Sequence, residues 1–191
     1  VEFDEGAAKS DTRITIRGLA PTRGRQNVAV LVDGIDVSTE AISNSGGGVL
    51  LNTRLVDIER LEVVKGPQMA RYGRSAFAGA IEYITKDPSE VFESTFSLDA
   101  NAEEQYSATM GLSGPVLGDK LGLRFNGAWW NEKGFYDNAI TGDSLGDDEG
   151  YGLALSAKSQ VTDTISLNFR AEYQDQQAGP SATQFLRFNA E

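Results

Sequence analysis

Few of the side chains in this sequence can do covalent or acid–base chemistry. Cysteine and histidine are both absent from the 191 residues, which removes thiol nucleophiles, disulfides, zinc sites built on Cys or His, and every imidazole general base. Carboxylates are the abundant reactive type: 28 Asp and Glu stand against 17 Lys and Arg, a formal charge of −11. A pair of carboxylates on a β scaffold could hydrolyse a glycoside, but nothing in the sequence pairs them. The densest acidic run, Asp143-Ser144-Leu145-Gly146-Asp147-Asp148-Glu149, could hold a divalent cation. It lacks the spaced ligands of an EF-hand loop and reads as a solvated loop. Gly46-Gly47-Gly48 has no following Lys-Ser/Thr and is not a phosphate loop. The acidic balance opposes a nucleic-acid footprint built on phosphate neutralisation. The expectation is a protein without catalytic residues, metal site, cofactor or nucleic-acid partner, whose chemistry is binding.

The elements that would position binding groups come from hydrophobic patterning. With 40% apolar residues the chain can bury a core, and whole-chain disorder does not fit. The longest apolar run near residue 28 is VAVLV, so neither a transmembrane helix nor a signal-peptide core is present, while a membrane β-barrel stays admissible. The sequence opens at Val1 without a charged leader, which fits a mature chain or an interior piece of a longer one.

The pattern shifts near Lys86-Asp87-Pro88-Ser89, where proline discourages continued strand pairing, and the expected domains are 1–88 and 89–191. In the first, RITIR (13–17) alternates like a strand, and VAVLV-DG-IDV (28–37) reads as a β-hairpin on a type I′ turn, since Asp-Gly tolerates positive φ. GLAPTRGRQN (18–27) and STEAISNSGGG (38–48) are loops that flank this hairpin. Asp57 can cap a short turn, and a strand follows through Leu61 and Val63. Pro67 suits the first position of a helix ended by Gly73, and 79–85 gives a last strand. The first domain is therefore an α+β unit.

After Pro88, five segments of about ten residues alternate apolar and polar side chains. Phe96, Leu98, Ala100 and Ala102 share a face in the first, and Tyr106, Ala108, Met110 and Leu112 in the second. Leu121, Leu123, Phe125 and Trp129 oppose Arg124 and Asn126 in the third. Tyr151, Leu153, Leu155 and Ala157 oppose Ser156 and Lys158 in the fourth. In the fifth, Ile165, Leu167, Phe169, Ala171 and Tyr173 oppose Ser166, Asn168, Arg170, Glu172 and Gln174. Compact connections (113–120, 161–164) contrast with a long acidic one (131–150), as periplasmic turns contrast with extracellular loops in an outer-membrane barrel. A soluble antiparallel sandwich shows the same alternation, with one face on a core and the other in water.

Arg17-Gly18, Val32-Asp33-Gly34 and above all IERLEVVKGPQMARYGRSAFAGAIEYITKDP (58–88) resemble the plug domain of TonB-dependent outer-membrane receptors. That family carries an IERVEVLKGP-type strand, a helical turn ended by Tyr-Gly and a GGxIxxITK-type strand, followed by the barrel. Order and spacing match from Arg17 to Lys86. Arg71 stands where the family often has Leu, and Glu82 where Asn is common. The resemblance implies an α+β plug domain followed by antiparallel transmembrane strands that form part of a 22-stranded barrel. It implies active transport of a scarce nutrient, most often a ferric siderophore, with vitamin B12 or an oligosaccharide as alternatives. Energy would come from TonB, with ExbB and ExbD, through an N-terminal segment outside this sequence. Outer-membrane lipid and lipopolysaccharide of a Gram-negative bacterium would surround the barrel. Five strands are fewer than the eight or so of the smallest membrane barrels, so further strands are expected beyond Glu191. A soluble β-rich carbohydrate-binding or adhesin module would explain the alternation but not the plug motif.

On the same resemblance, Arg17 of the IRG motif and Lys65 of the KGP motif lock the plug to carboxylates of the barrel wall. Ligand contact falls to the plug's apical loops, residues 19–27 and 37–48. There Thr22, Arg23, Arg25, Gln26, Ser43 and Asn44 can hydrogen-bond a polar ligand, and the two arginines can grip carboxylate or catecholate oxygens bidentately.

Overall fold

A computed structural model describes residues 1–5, 12–19, 26–38, 57–118, 120–138, 141–142 and 144–179. The elements in chain order are β1 (Glu2–Glu5), β2 (Thr12–Thr15), β3 (Val28–Val32), β4 (Ile35–Asp36), β5 (Ile58–Lys65), α1 (Met69–Tyr72), β6 (Gly79–Thr85), β7 (Glu93–Ala100), β8 (Gln105–Pro115), β9 (Leu121–Glu132), β10 (Tyr136–Asp137), β11 (Ser144–Leu145), β12 (Asp148–Thr162) and β13 (Ile165–Ala178). Among the described residues they form a four-stranded sheet ordered β4-β3-β6-β5, a five-stranded sheet ordered β13-β12-β9-β8-β7, and the ribbons β1-β2 and β10-β11.

The four-stranded sheet is built around VAVLV because that run is apolar on both faces, as a strand covered on both sides must be. Val28 and Val30 face Ile14, Ile16, Ala78 and Ile81, so β2 and the bridge at Ile16 cover one side. Ala29 and Leu31 face Ala76 and Ala80, with Tyr72 of α1 packed against them. β3 lies parallel to β6, and β5 lies antiparallel to it. The β3–β4 turn has φ of 48° at Asp33 and 80° at Gly34, the two positive values a type I′ turn demands. Asp33 does more than turn the chain: its carboxylate accepts from the Thr85 backbone N–H (2.9 Å) and hydroxyl (2.7 Å), pinning the hairpin tip to the end of β6.

Two local expectations are corrected here. Gly73 does end α1, at φ 80°, but the helix begins at Met69 with Gln68 as its N-cap, so Pro67 precedes the helix. The Gln68 N–H goes to the Ala76 carbonyl, which holds Gly66 and Pro67 in the turn leaving β5. Ala102 lies in a turn past the end of β7, because the Asn101 side chain accepts from the backbone N–H groups of Glu103 and Gln105 and closes that turn.

Tyr83 packs against the β3 core from β6, and burial pushes its phenol above the ordinary value of 10.0. A raised folded-state pKa contributes nothing below pH 10, where both states are neutral. Above that the unfolded chain ionises first, so stability falls as pH rises through the folded value. Tyr83→Phe should remove that alkaline loss and delete one late phenolate from an ultraviolet titration of the native protein. Loss of a phenolate that titrates at the ordinary value near 10.0, and not of a late one, would show Tyr83 to be ordinary.

The five-stranded sheet is a meander with its alternation in one continuous register. Phe96 stands opposite Met110, Leu98 and Trp129 both lie opposite Ala108, and Leu112 lies opposite Phe125. Leu155 is flanked by Phe125 and Ala171, and Leu153 by Tyr173. The apolar residues of five strands thus merge into one outward belt, on which Phe96, Leu98, Leu167 and Phe169 are the most exposed members. The other face carries Thr95, Ser97, Ser113, Arg124, Asn126, Ser156, Asn168 and Arg170. The strands run longer than the apolar stretches: β12 has 15 residues and β13 has 14. The long 131–150 connection is correspondingly shorter than expected, since β9 continues to Glu132, paired with Asp148 at the start of β12.

Candidate functional site

The polar face of the five-stranded sheet is where the two halves of the chain meet. Asp57, just before β5, adopts φ 72°, and its carbonyl accepts from the Lys86 N–H at the end of β6. Its carboxylate meets the Arg124 guanidinium of β9 in a fork, Nε to Oδ2 at 2.6 Å and Nη2 to Oδ1 at 2.8 Å. The two side chains are 1% and 9% exposed. The capping role expected of Asp57 is therefore replaced by an ion pair across the two sheets. Around it the 86–92 segment hugs the same face. Lys158 pairs with Asp87, the Ser113 hydroxyl accepts from the Ser89 N–H at 2.8 Å, and a Cβ on Gly122 would come within 2.9 Å of Pro88. These contacts cluster toward the end of the sheet that carries the short 116–120 and 163–164 turns.

At the other end of the sheet the inward face is not uniformly polar. Trp130 is fully buried there, lying over Gly150, where a Cβ would come within 2.7 Å of the indole. Its Nε1–H donates to Asp148 at 3.1 Å, and the same carboxylate accepts from the Gln176 amide at 2.9 and 3.0 Å. Asp148 is thus a buried network member of β12, not part of a solvated acidic loop. Asp143 lies outside the described residues.

The positions expected to act are distributed unevenly. Arg17 sits exposed in the turn between Ile16 and Leu19, at φ 52°. Lys65 is the exposed last residue of β5, opposite Gly79. Gln26 is buried at 4% exposure beside the start of β3, so it is not presented to solvent as a ligand contact. Thr22, Arg23, Arg25, Ser43 and Asn44 lie outside the described residues. Both loops leave from one end of the four-stranded sheet, beside Val28 and Val37, and the Asp33 turn and Asp57 lie at the other. Sequence reasoning missed Asp57, Arg124, Trp130 and Asp148 as partners. Arg124 carried a signal, as the one cation on the inward face of its strand, but its partner is 67 residues away.

Residues 1–80 match the family model described as the TonB-dependent Receptor Plug Domain. A ferric enterobactin receptor, PirA, of Pseudomonas aeruginosa is 32% identical over 136 residues, 64% of this chain and 18% of its own length. Residues 1–80 belong to the TonB-dependent receptor plug-domain family. The ferrienterobactin receptor of Escherichia coli is 33% identical over 135 residues, 64% of this chain and 17% of its own length. The vitamin B12 transporter BtuB of Vibrio vulnificus is 36% identical over 104 residues, 54% of this chain and 16% of its own. The chain therefore spans under a fifth of these relatives. Its fold matches the ferric yersiniabactin uptake receptor FyuA of Yersinia pestis with a TM-score of 0.79 at 21% identity, over 91% of this chain and 27% of that one. The Asp57–Arg124 fork thus joins the matched plug region to the five-stranded sheet that follows it.

Proposed function

We propose that this protein carries out TonB-dependent uptake of a ferric siderophore across the Gram-negative outer membrane, with plug over 1–88 and barrel strands over 89–191. The observation that carries the reading is a plug-type unit ion-paired to the polar face of a sheet whose opposite face is one unbroken apolar belt. A soluble sandwich needs a core on its apolar face and water on the polar one; here the polar face receives protein, which suits a barrel with a filled lumen in lipid. The ferric enterobactin receptors among the relatives favour a catecholate chelate. Residues 19–27 and 37–48, with Arg23 and Arg25 as guanidinium grips, are the ligand loops on the outer side. Arg17 and Lys65 lock the plug to carboxylates contributed by the rest of the barrel. TonB, driven by ExbB and ExbD, supplies the work, and the chain is a receptor rather than an enzyme.

The test is iron-limited growth on ferric enterobactin of cells whose only such receptor is the full-length protein, with and without TonB. Growth should require both, and Arg23→Ala with Arg25→Ala should weaken chelate binding about tenfold or more, the worth of one charge-assisted hydrogen bond. Growth that ignores TonB, or a protein that stays soluble after cell fractionation, would reject the reading. The vitamin B12 alternative, favoured by the BtuB relative, predicts cyanocobalamin binding in its place.

A further inference from the structure

We infer that Asp57 and Arg124 form a plug-to-wall anchor, with the acid on the plug and the base on the wall, that seats the plug at the short-turn end of the lumen. The pair goes beyond the transport reading, because it holds the plug whatever ligand the receptor carries. Three observations carry it. The geometry is a two-point fork at 2.6 and 2.8 Å, which fixes orientation as well as distance. Both side chains are withdrawn from water, so losing either partner strands a desolvated charge. The two residues are also rooted in rigid elements. Asp57 is held at its left-handed φ by the Lys86 N–H at the junction of β5 and β6. Arg124 stands between Ser113 of β8 and Ser156 of β12 in the continuous ladder. The neighbouring Lys158–Asp87 pair differs in kind, because both its side chains are about half exposed or more and solvent screens it.

The polarity matters for which way up the plug lies. Asp57 sits at the Thr85 end of the four-stranded sheet, while Lys65 sits at its Gly79 end. An inverted plug would bring a cation toward Arg124.

Hydrogen exchange on the full-length receptor in lipid tests the anchor. Asp57→Asn and Arg124→Met should each speed exchange of β5 and β6 amides on the order of 100-fold, while β12–β13 amides stay protected and report an intact barrel. Arg124→Lys, which keeps charge but loses the fork, should fall between wild type and Arg124→Met. The swap Asp57→Arg with Arg124→Asp should protect β5 better than either of its component single changes. Lys158→Ala should leave β5 unchanged. Unchanged β5 exchange in both single variants, or a swap no better than its components, overturns the anchor. So does loss of β12–β13 protection in Arg124→Lys, which would make Arg124 a barrel-folding residue. Failure of siderophore uptake in the wild-type protein would overturn the transport reading and leave these exchange results standing.

Discussion

Arginine at position 169 should stop the full-length receptor from inserting stably into lipid, whereas arginine at position 168 should leave insertion intact. Phe169 lies in the middle of the apolar row of β13, between Leu167 and Ala171, and is largely exposed on the outward belt. A cation on the lipid face at the bilayer midplane costs about 2 to 4 kcal/mol and falls toward zero near the interfaces. Asn168 is on the other face, opposite Lys158. There an arginine meets a wet, polar lumen, and the like charge directly opposite costs at most about 1 kcal/mol. The ratio of folded to unfolded receptor in lipid vesicles, read by heat-modifiable gel mobility, should fall about 30-fold or more for Phe169→Arg. It should move several-fold at most for Asn168→Arg. Because a soluble sandwich would also suffer from the first change, lipid contact must be read directly. Spin labels at 167 and 169 should be quenched by a lipid-soluble reagent, and labels at 168 and 170 should not. Equal quenching on both faces would show that the belt does not meet lipid.

That belt was legible in the sequence because strand side chains alternate with period two and each face has one environment over its whole length. The ends of the strands were not legible. β12 runs from Asp148 to Thr162 although its apolar row spans only Tyr151 to Ala157, since backbone hydrogen bonds continue the ladder after the side chains turn polar. The hairpin at Asp33-Gly34 could be read from the φ its residues tolerate, but the grip of Asp33 on Thr85 spans 52 residues and has no local trace. The same holds for Arg124. Alternation puts it on the lumen face, yet only the fold brings Asp57 to it. Trp130 is the opposite case: its neighbour Trp129 took the outward position, and burial of an indole on a polar face depends on Gly150 leaving room and Asp148 accepting its N–H. The proposed lock at Arg17 and Lys65 is of a third kind: both residues are exposed, and the carboxylates proposed to meet them would come from outside the described residues.

Alanine at Gly79 should loosen the plug more than alanine at any other described glycine before residue 88, for a reason that separates crowding from backbone strain. Gly79 opens β6 at φ 156°, between Val28 and Lys65 in the sheet. A Cβ there would overlap the Val64 carbonyl oxygen and come within 2.8 Å of Ile16 Cδ1. The carbonyl belongs to the β5–β6 ladder and Ile16 belongs to the core that β2 lays over β3, so neither can retreat without opening a sheet or a core. A side chain in a sparsely populated φ region costs about 1 to 3 kcal/mol, and overpacking adds roughly the same again. Gly73 provides the comparison: its φ is also positive, at 80°, but a Cβ there meets nothing within 4 Å. Gly73→Ala should therefore carry only the backbone cost of a side chain at φ 80°, ψ −175°, about 1 to 3 kcal/mol. In hydrogen exchange on the full-length receptor, Gly79→Ala should deprotect β3, β5 and β6 together while Gly73→Ala affects mainly α1. Equal effects from the two would mean that φ alone sets the cost. Full protection in Gly79→Ala would mean that the close approach of β2, β5 and β6 at this glycine does not hold the plug together.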